Sequence, residues 1–448
     1  MAEAYREMPP LWTAEEAQTA TGGRSTASWQ AGGVSIDSRA LNPGDLFVAL
    51  VGERVDGHDF VEAALGKGAA AALVERVPAG LAPTAPLIIV EDALDGLTRL
   101  GRHARARSKA RFLAVTGSVG KTSTKEMLRL ALTGQRRTTV SEGNLNNQIG
   151  TPLSLARLPI DAELGVFELG MNHPGEIRPI AGLTQPHIAI ITNVEAVHLE
   201  AFESEEAIAD AKAEVFDGMQ AGGIAILNRD NRHFDQLAAA AAAHGLEVAD
   251  FGASPEARFR LASSDVEPDR VAVTAVIGGR SMRYSMPVSG RHWAINSLAV
   301  MGAVQALGLD LDRAAGALGT IKTPKGRGER RTIGLAGGGS FQLIDDSYNA
   351  SPVAVRAALA VLGSIAPGPA AAASSCSATC ASWAPAARRC TPSSRARCSP
   401  TASSGCTPWG RSPGICARPC RPACSACTPT KAKSWPRLSP PTCARATW

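Results

Sequence analysis

The stretch TGSVGKTSTKEML, running from Thr116 to Leu128, sets a lysine among glycines and hydroxyls. Between a strand and a helix, such a loop aims backbone N–H groups, a helix N-terminus and the ammonium of Lys121 at one point. That arrangement cradles a triphosphate. Gly117, Ser118, Val119, Gly120, Lys121, Thr122 and Ser123 are therefore the candidate nucleotide-binding residues. The hydroxyl of Thr122, next to the lysine, is placed to hold Mg²⁺. The longer form of this motif would have glycine where the chain has Val115, so the loop is of a shortened kind. A turn that merely tolerates glycine is the plainer alternative, and ATP binding is preferred to it.

Other residues suited to chemistry lie nearby. Glu168 ends the apolar run GVFELG and His198 follows ITNVEAV, both at strand ends. At the carboxyl edge of a parallel sheet ligand crevices form, although a solvated acid and a structural histidine are the ordinary readings. Lys212 lies in the helical stretch EEAIADAKAEVF, where an exposed lysine is ordinary. Asn144, Asn146 and Asn147 in GNLNNQIG offer amide donors and acceptors in a short loop, and asparagine also simply forms turns. Arg39, beside Ser38, has the forked donor geometry that suits a diphosphate.

These residues need a scaffold, and the chain reads as one. SIDSRALNPGDLFVAL is a loop followed by a buried strand, DFVEAALGKGA a helix, and AAALV and PLIIV further strands ending near Val90. Leucine and alanine spacing from Asp92 to Ala106 suits a helix, and FLAVTGSVGKTSTKEMLRLAL gives strand, loop and helix in turn. With ELGVFELG, HIAIITNV and GGIAILN as more strands, this is the βαβ grammar of a parallel sheet. TPKGRGERR is a polar connector, after which FQLIDDSYNASP starts another strand. The expected domains are 1–90, 91–322, 323–366 and an aberrant tail over 367–448.

The 448-residue chain is long enough for two or three domains with cores of their own. Its net charge of +5 hides a seam. All 41 acidic residues end at Asp346, whereas 11 of the 46 basic ones lie from Arg388 to Arg445, leaving 35 cations against 41 acids before the tail. The body therefore gives no electrostatic reason to expect a nucleic-acid partner. The start MAEAYREMPP lacks a signal-peptide pattern, no run is apolar enough to span a membrane, and cysteine is absent before Cys376. A cytoplasmic, monomeric chain is the expectation.

TGSVGKTSTKEML resembles the nucleotide loop of the Mur ligases, the ATP-dependent amide-forming enzymes of peptidoglycan synthesis. DSRALNPGDLFVAL, DGHDFV, EGNLNNQIGTPLSL, FELGMNHPGEI, TNVEAVHLEAFESEEAIADAKAEVF, GRHWAINSLA and DDSYNASP follow in the family's order, covering most of the chain from about Ser35 to Ser364. They are most similar to the branch that joins D-alanyl-D-alanine to UDP-N-acetylmuramoyl-tripeptide. The resemblance implies a three-domain α/β fold: a small domain for the uridine nucleotide, a central ATPase with a mostly parallel sheet, and a Rossmann-like third domain. It implies ATP and Mg²⁺ as cofactors, with Thr122, Glu168 and His198 on the metal and Lys121 on the phosphates. It also implies a carbamylated Lys212, and Asn144, Asn146 and Asn147 facing the peptide. Ser38 and Arg39 would hold the uridine diphosphate, and His292 and Asn296 the nucleoside. Arg327 and Asp346 would bring the third domain over ATP, although a charged linker explains Arg327 nearly as well. A folylpolyglutamate-type ligase and a non-catalytic nucleotide-binding protein are the alternatives.

In the family, DDSYNASP and its helix lead to a segment of the form V-L-G-D-M-x-E-L-G. Here the chain reads SSCSATCASWA, from Ser374. Shifted by one frame, these codons permit an apolar run and then L-G-D-M-R-E-L-G. The chain beyond roughly Pro367 is therefore expected to be a frame-shifted translation, with an incomplete third domain and impaired activity. A zinc site at Cys416, Cys420, Cys424 and Cys427, or a basic nucleic-acid-binding tail, ranks below that reading.

Overall fold

The computed structural model describes residues 9–365 apart from 198–199, 336, 349–350 and 364. Residues 367–448, expected from the sequence to be an aberrant tail, lie outside the described residues.

The first sheet has the order Arg24–Ser25, Leu87–Ile89, Ala71–Val74, Asp45–Val48, Gly33–Ser35. All neighbours are parallel except the first pair. Strands Ala71–Val74 and Asp45–Val48 are buried along their whole length, as strands of a covered parallel sheet should be. Helix Ala93–Arg107 starts at Asp92, whose carboxylate accepts from Asp95 N at 2.7 Å. Ala93, Leu97, Leu100 and Ala104 recur at helical spacing and enter one core with Leu46, Leu73 and Ile88.

That core also takes Leu153 and Ala156 from helix Gly150–Ala156. Trp12 Nε1 donates to Ala156 O at 2.8 Å, and Arg157 Nε to Val34 O at 2.6 Å. On the other side of helix Ala93–Arg107, buried Arg105 donates to the carbonyls of Thr184 and Gln185, closing the end of helix Ile177–Thr184. The helix that follows residue 90 thus serves the first sheet and binds it to what comes next.

The central sheet has nine strands. From one edge they run Thr138–Val140, Leu164–Glu168, Arg111–Thr116, Ile188–Ile191, Ile224–Asn228, Glu247–Gly252 and Phe259–Val266, all parallel. Val271–Ile277 and Arg280–Met286 then add antiparallel neighbours. Successive residues point to opposite faces. Leu113, Val115, Val166, Ile188 and Ile190 enter one core, and Phe112, Ala114, Phe167, Ala189 and Ile191 the other. Both faces are covered, which gives the expected α/β architecture.

Strand Arg111–Thr116 lies between strands that follow it in sequence, so the winding reverses there. Ligand crevices form outside the carboxyl ends of strands at such a point, and TGSVGKTS occupies this position. Beyond the sheet, a hairpin pairs Glu329–Gly334 with Ser340–Asp345, and helix Pro352–Gly363 follows. Among the described residues, no helix is long and apolar enough to cross a membrane.

Candidate active site

Helix Lys121–Thr133 begins at Gly120 with no side-chain cap and no acidic residue in its first turn. Its leading N–H groups are left for an anion. The loop before it depends on glycine at two positions. Gly117 has φ +145°, and a Cβ there would run into the Thr192 hydroxyl. Gly120 has φ +86°, and a Cβ there would lie 2.7 Å from Asn296 Nδ2.

The neighbouring strand end ties the loop down. Ser118 N donates to Asn193 O at 2.8 Å, Ser118 Oγ to Glu195 O at 3.1 Å, and Thr192 Oγ1 to Val119 O at 2.5 Å. His198, expected just beyond, lies outside the described residues.

Lys121 folds back so that Nζ donates to Gly117 O at 2.6 Å. Burial pulls its pKa below the usual lysine value; Glu168 opposes that shift and Arg327 adds to it. Glu168 is 2 % exposed. Thr122 Oγ1 donates to its Oε2 at 2.9 Å, Asn146 Nδ2 donates to its Oε1 at 2.9 Å, and its own N–H donates to Ser141 Oγ at 3.1 Å. A hydroxyl and a carboxylate meeting beside the phosphate loop are hard oxygen donors of the type Mg²⁺ takes, so these residues fit the expected ion.

Lys212, 3 % exposed, is driven well below the usual lysine value by burial and then by the charge of Lys121. The structure thus buries a lysine expected to be exposed on grounds of residue type. The two lysines are close enough to repel, and Lys212 has no ion pair among the described residues. Asn296 is 8 % exposed and lies against Gly120. His292 precedes it by one turn on helix Arg291–Ala306 and is exposed. Arg327 sits 4.1 Å from the Tyr348 ring and acts electrostatically on both Lys121 and Asp346. Half-buried Asp346 has its pKa raised by burial; Arg327 offsets this and Asp345 adds to it.

The asparagines divide. Asn146 reaches Glu168, whereas Asn147 Oδ1 accepts from Ile149 N at 3.1 Å and Gly150 N at 2.8 Å, capping the next helix. Asn144 O accepts from Asn146 N at 2.8 Å, shaping the loop. Ser38 and Arg39 lie on the loop after Gly33–Ser35. There the Arg39 fork grips Asp37, and Ser38 O accepts from Lys67 Nζ at 2.8 Å. Sequence reasoning passed over Ser141, Thr192 and above all Lys125, which is wholly buried with Nζ 3.6 Å from Glu168 Oε2. One signal for Lys125 was present: it is one helical turn after Lys121.

A phosphate loop at the switch point of a mostly parallel sheet, with a carboxylate at the next strand end, defines an ATP-dependent enzyme of the Mur ligase type. The Mur ligase middle domain matches residues 115–304, and the pattern described as "Mur ligase family, catalytic domain" matches residues 30–105. The UDP-N-acetylmuramoyl-tripeptide–D-alanyl-D-alanine ligase of Rickettsia prowazekii is 35 % identical, over 79 % of this chain and 77 % of its own. Among solved structures, MurF from Acinetobacter baumannii superposes with a TM-score of 0.70 at 32 % identity, covering 80 % of this chain and 78 % of that one. MurF of Thermotoga maritima, solved with ADP, gives 0.63 at 27 % identity over 75 % of each chain. The chain belongs to the Mur ligase family.

Proposed function

We propose that this chain is the cytoplasmic ligase that joins D-alanyl-D-alanine to UDP-N-acetylmuramoyl-tripeptide at the expense of ATP. The observation that carries this reading is the convergence of Thr122 and Asn146 on Glu168 beside Lys121. It brings together the phosphate loop, a buried carboxylate and an amide-bearing loop. The similarity to UDP-N-acetylmuramoyl-tripeptide–D-alanyl-D-alanine ligases over most of both chains favours this over a folylpolyglutamate-type enzyme.

A carboxylate is a poor electrophile, so it must be activated before an amine can attack it. The terminal carboxylate of the tripeptide takes the γ-phosphoryl group, and the P–O bond to ADP breaks. The deprotonated amine of the dipeptide then attacks the acyl carbon. The tetrahedral intermediate expels inorganic phosphate and leaves the amide. Positioning two anions and neutralising their charge is most of the task.

Loop N–H groups from Gly117 to Ser123 and the Lys121 ammonium hold the phosphates. Thr122, Glu168 and His198 would hold Mg²⁺, which when bound neutralises charge on the phosphates. Lys212, held toward the neutral amine, is suited to add CO₂. Its carbamate would place an anion near Lys121, where the ammonium form of Lys212 would set two like charges against each other. Asn296 and His292 would receive the nucleoside, with Arg327 and Asp346 closing over ATP. Ser38 and Arg39 would hold the uridine diphosphate, and Asn144 and Asn146 would face the peptide. Asn147 joins them only through its unbonded amide nitrogen.

Phosphate release measured with each substrate omitted in turn tests the assignment. The measurement uses this chain and a version whose reading frame is restored after Ile365. The restored chain should need all three substrates. Its failure to release phosphate with all three present would overturn the proposal.

A further inference from the structure

Lys125 has no part in the reaction as described, yet it is 0 % exposed. It follows Lys121 by four residues and shares that side of the helix. Its Nζ donates to Gly143 O at 2.8 Å and lies 3.6 Å from Glu168 Oε2. Gly143, at φ +50°, opens the loop that carries Asn144, Asn146 and Asn147. The same loop is fastened to the strand end of Glu168 twice more, by Asn146 Nδ2 to Glu168 Oε1 at 2.9 Å and by Gly170 N to Asn146 O at 2.8 Å. At its far end the Asn147 cap leads into helix Gly150–Ala156, which is embedded in the core of the first sheet.

An apolar side chain of lysine's length would fill this volume without desolvating a charge. A buried cation is warranted where it orients its partners. Here the partners are the carboxylate on the metal side and the carbonyl at the root of the asparagine loop. Glu168 Oε2 also receives the Thr122 hydroxyl. Were that hydroxyl to turn to a metal ion, the contacts of Lys125 and Asn146 would remain to hold the carboxylate.

We propose that Lys125 is a positioning residue: its ammonium clamps the Gly143 carbonyl beside Glu168, so that the asparagine loop and the metal-side carboxylate move as one. The proposal rests on the roles given above to Glu168 and to that loop.

The test uses the full chain, with Lys125→Met removing the charge and keeping the stem, and Lys125→Arg keeping the charge. Amide hydrogen exchange across residues 141–149 is followed with and without Mg²⁺ and ADP. In the parent, adding both should slow exchange in this loop. Lys125→Met should melt as the parent does and bind ADP without metal as the parent does. Its loop should exchange roughly ten- to a hundredfold faster, as loss of a charge-assisted hydrogen bond implies, and should no longer respond to Mg²⁺ and ADP. Lys125→Arg should recover part of the response.

Unchanged loop exchange in Lys125→Met overturns the proposal. So does uniform loosening of the whole phosphate-loop helix, or failure of the variant to fold, because either makes Lys125 a packing residue. A titration with UDP-N-acetylmuramoyl-tripeptide separates the two readings. Equal affinity in parent and Lys125→Met, with the exchange response still lost, supports the clamp and removes the loop from the peptide site.

Discussion

Thr122 Oγ1 and Glu168 Oε2 meet at 2.9 Å, joining the first turn of the phosphate-loop helix to the end of the adjacent parallel strand. These are two of the oxygen donors proposed above to hold Mg²⁺. Glu168→Gln preserves shape and removes the charge. Calorimetric titration with ADP, with and without Mg²⁺, should show that roughly tenfold or more of the metal's contribution to affinity is lost. Affinity for metal-free ADP should change little. An equal gain from Mg²⁺ in parent and variant would remove Glu168 from the metal site.

Gly117 bears on the same site through the backbone. Its φ of +145° and the adjacent Thr192 hydroxyl leave no room for a side chain. Gly117→Ala should lower stability by about 1–3 kcal/mol through strain alone, and nucleotide binding should fall with it as the loop shifts. Urea unfolding and ADP titration measure the two effects. Parent-like values in both would show that the loop yields without cost.

Lys212 gives a pH dependence whose sign is fixed. In the unfolded chain its amine titrates as an ordinary lysine; in the folded chain burial, and then the charge of Lys121, shift it well below that. Between the two pKa values the unfolded state binds more protons, so Lys212 makes stability rise with pH across this window. Lys212→Met should flatten that rise and stabilise the protein at neutral pH. Lys121, shifted in the same direction, keeps part of the slope. Melting curves from about pH 7 to about pH 10 check this, and an unchanged slope would mean that Lys212 is solvated.

The parts legible in advance were those where a local pattern settles the structure. Apolar runs separated by helical spacing gave the parallel strands, and TGSVGKTS gave the loop because glycine and lysine spacing carries its own geometry. The antiparallel edge from Phe259 to Met286 went unread. Its alternation is plain in the burial of Val271–Ile277, but a two-period pattern does not say which sheet it joins. Asn147 as a helix cap and Lys125 as a buried cation also escaped notice. Residue type does not reveal which amide a helix start will claim, or whether a helix turns its lysine inward.

The third domain carries the last prediction. Its described part is a hairpin on which Phe341 and Leu343 are exposed and a helix with no buried residue. A two-stranded hairpin is marginal without a further layer on its apolar face. If the frame is shifted as the sequence suggests, restoring it after Ile365 would permit an apolar run and an L-G-D-M-R-E-L-G segment after the helix. In the restored chain, proteolysis should spare the hairpin and helix, and ATP turnover should require both cell-wall precursors. In the chain as it stands, cleavage between Glu329 and Gly363 should be rapid while the central domain still binds ADP. Equal protection of that region in the two chains would mean that the missing strand is not what the hairpin lacks, and independent DNA showing an intact frame would remove the premise itself.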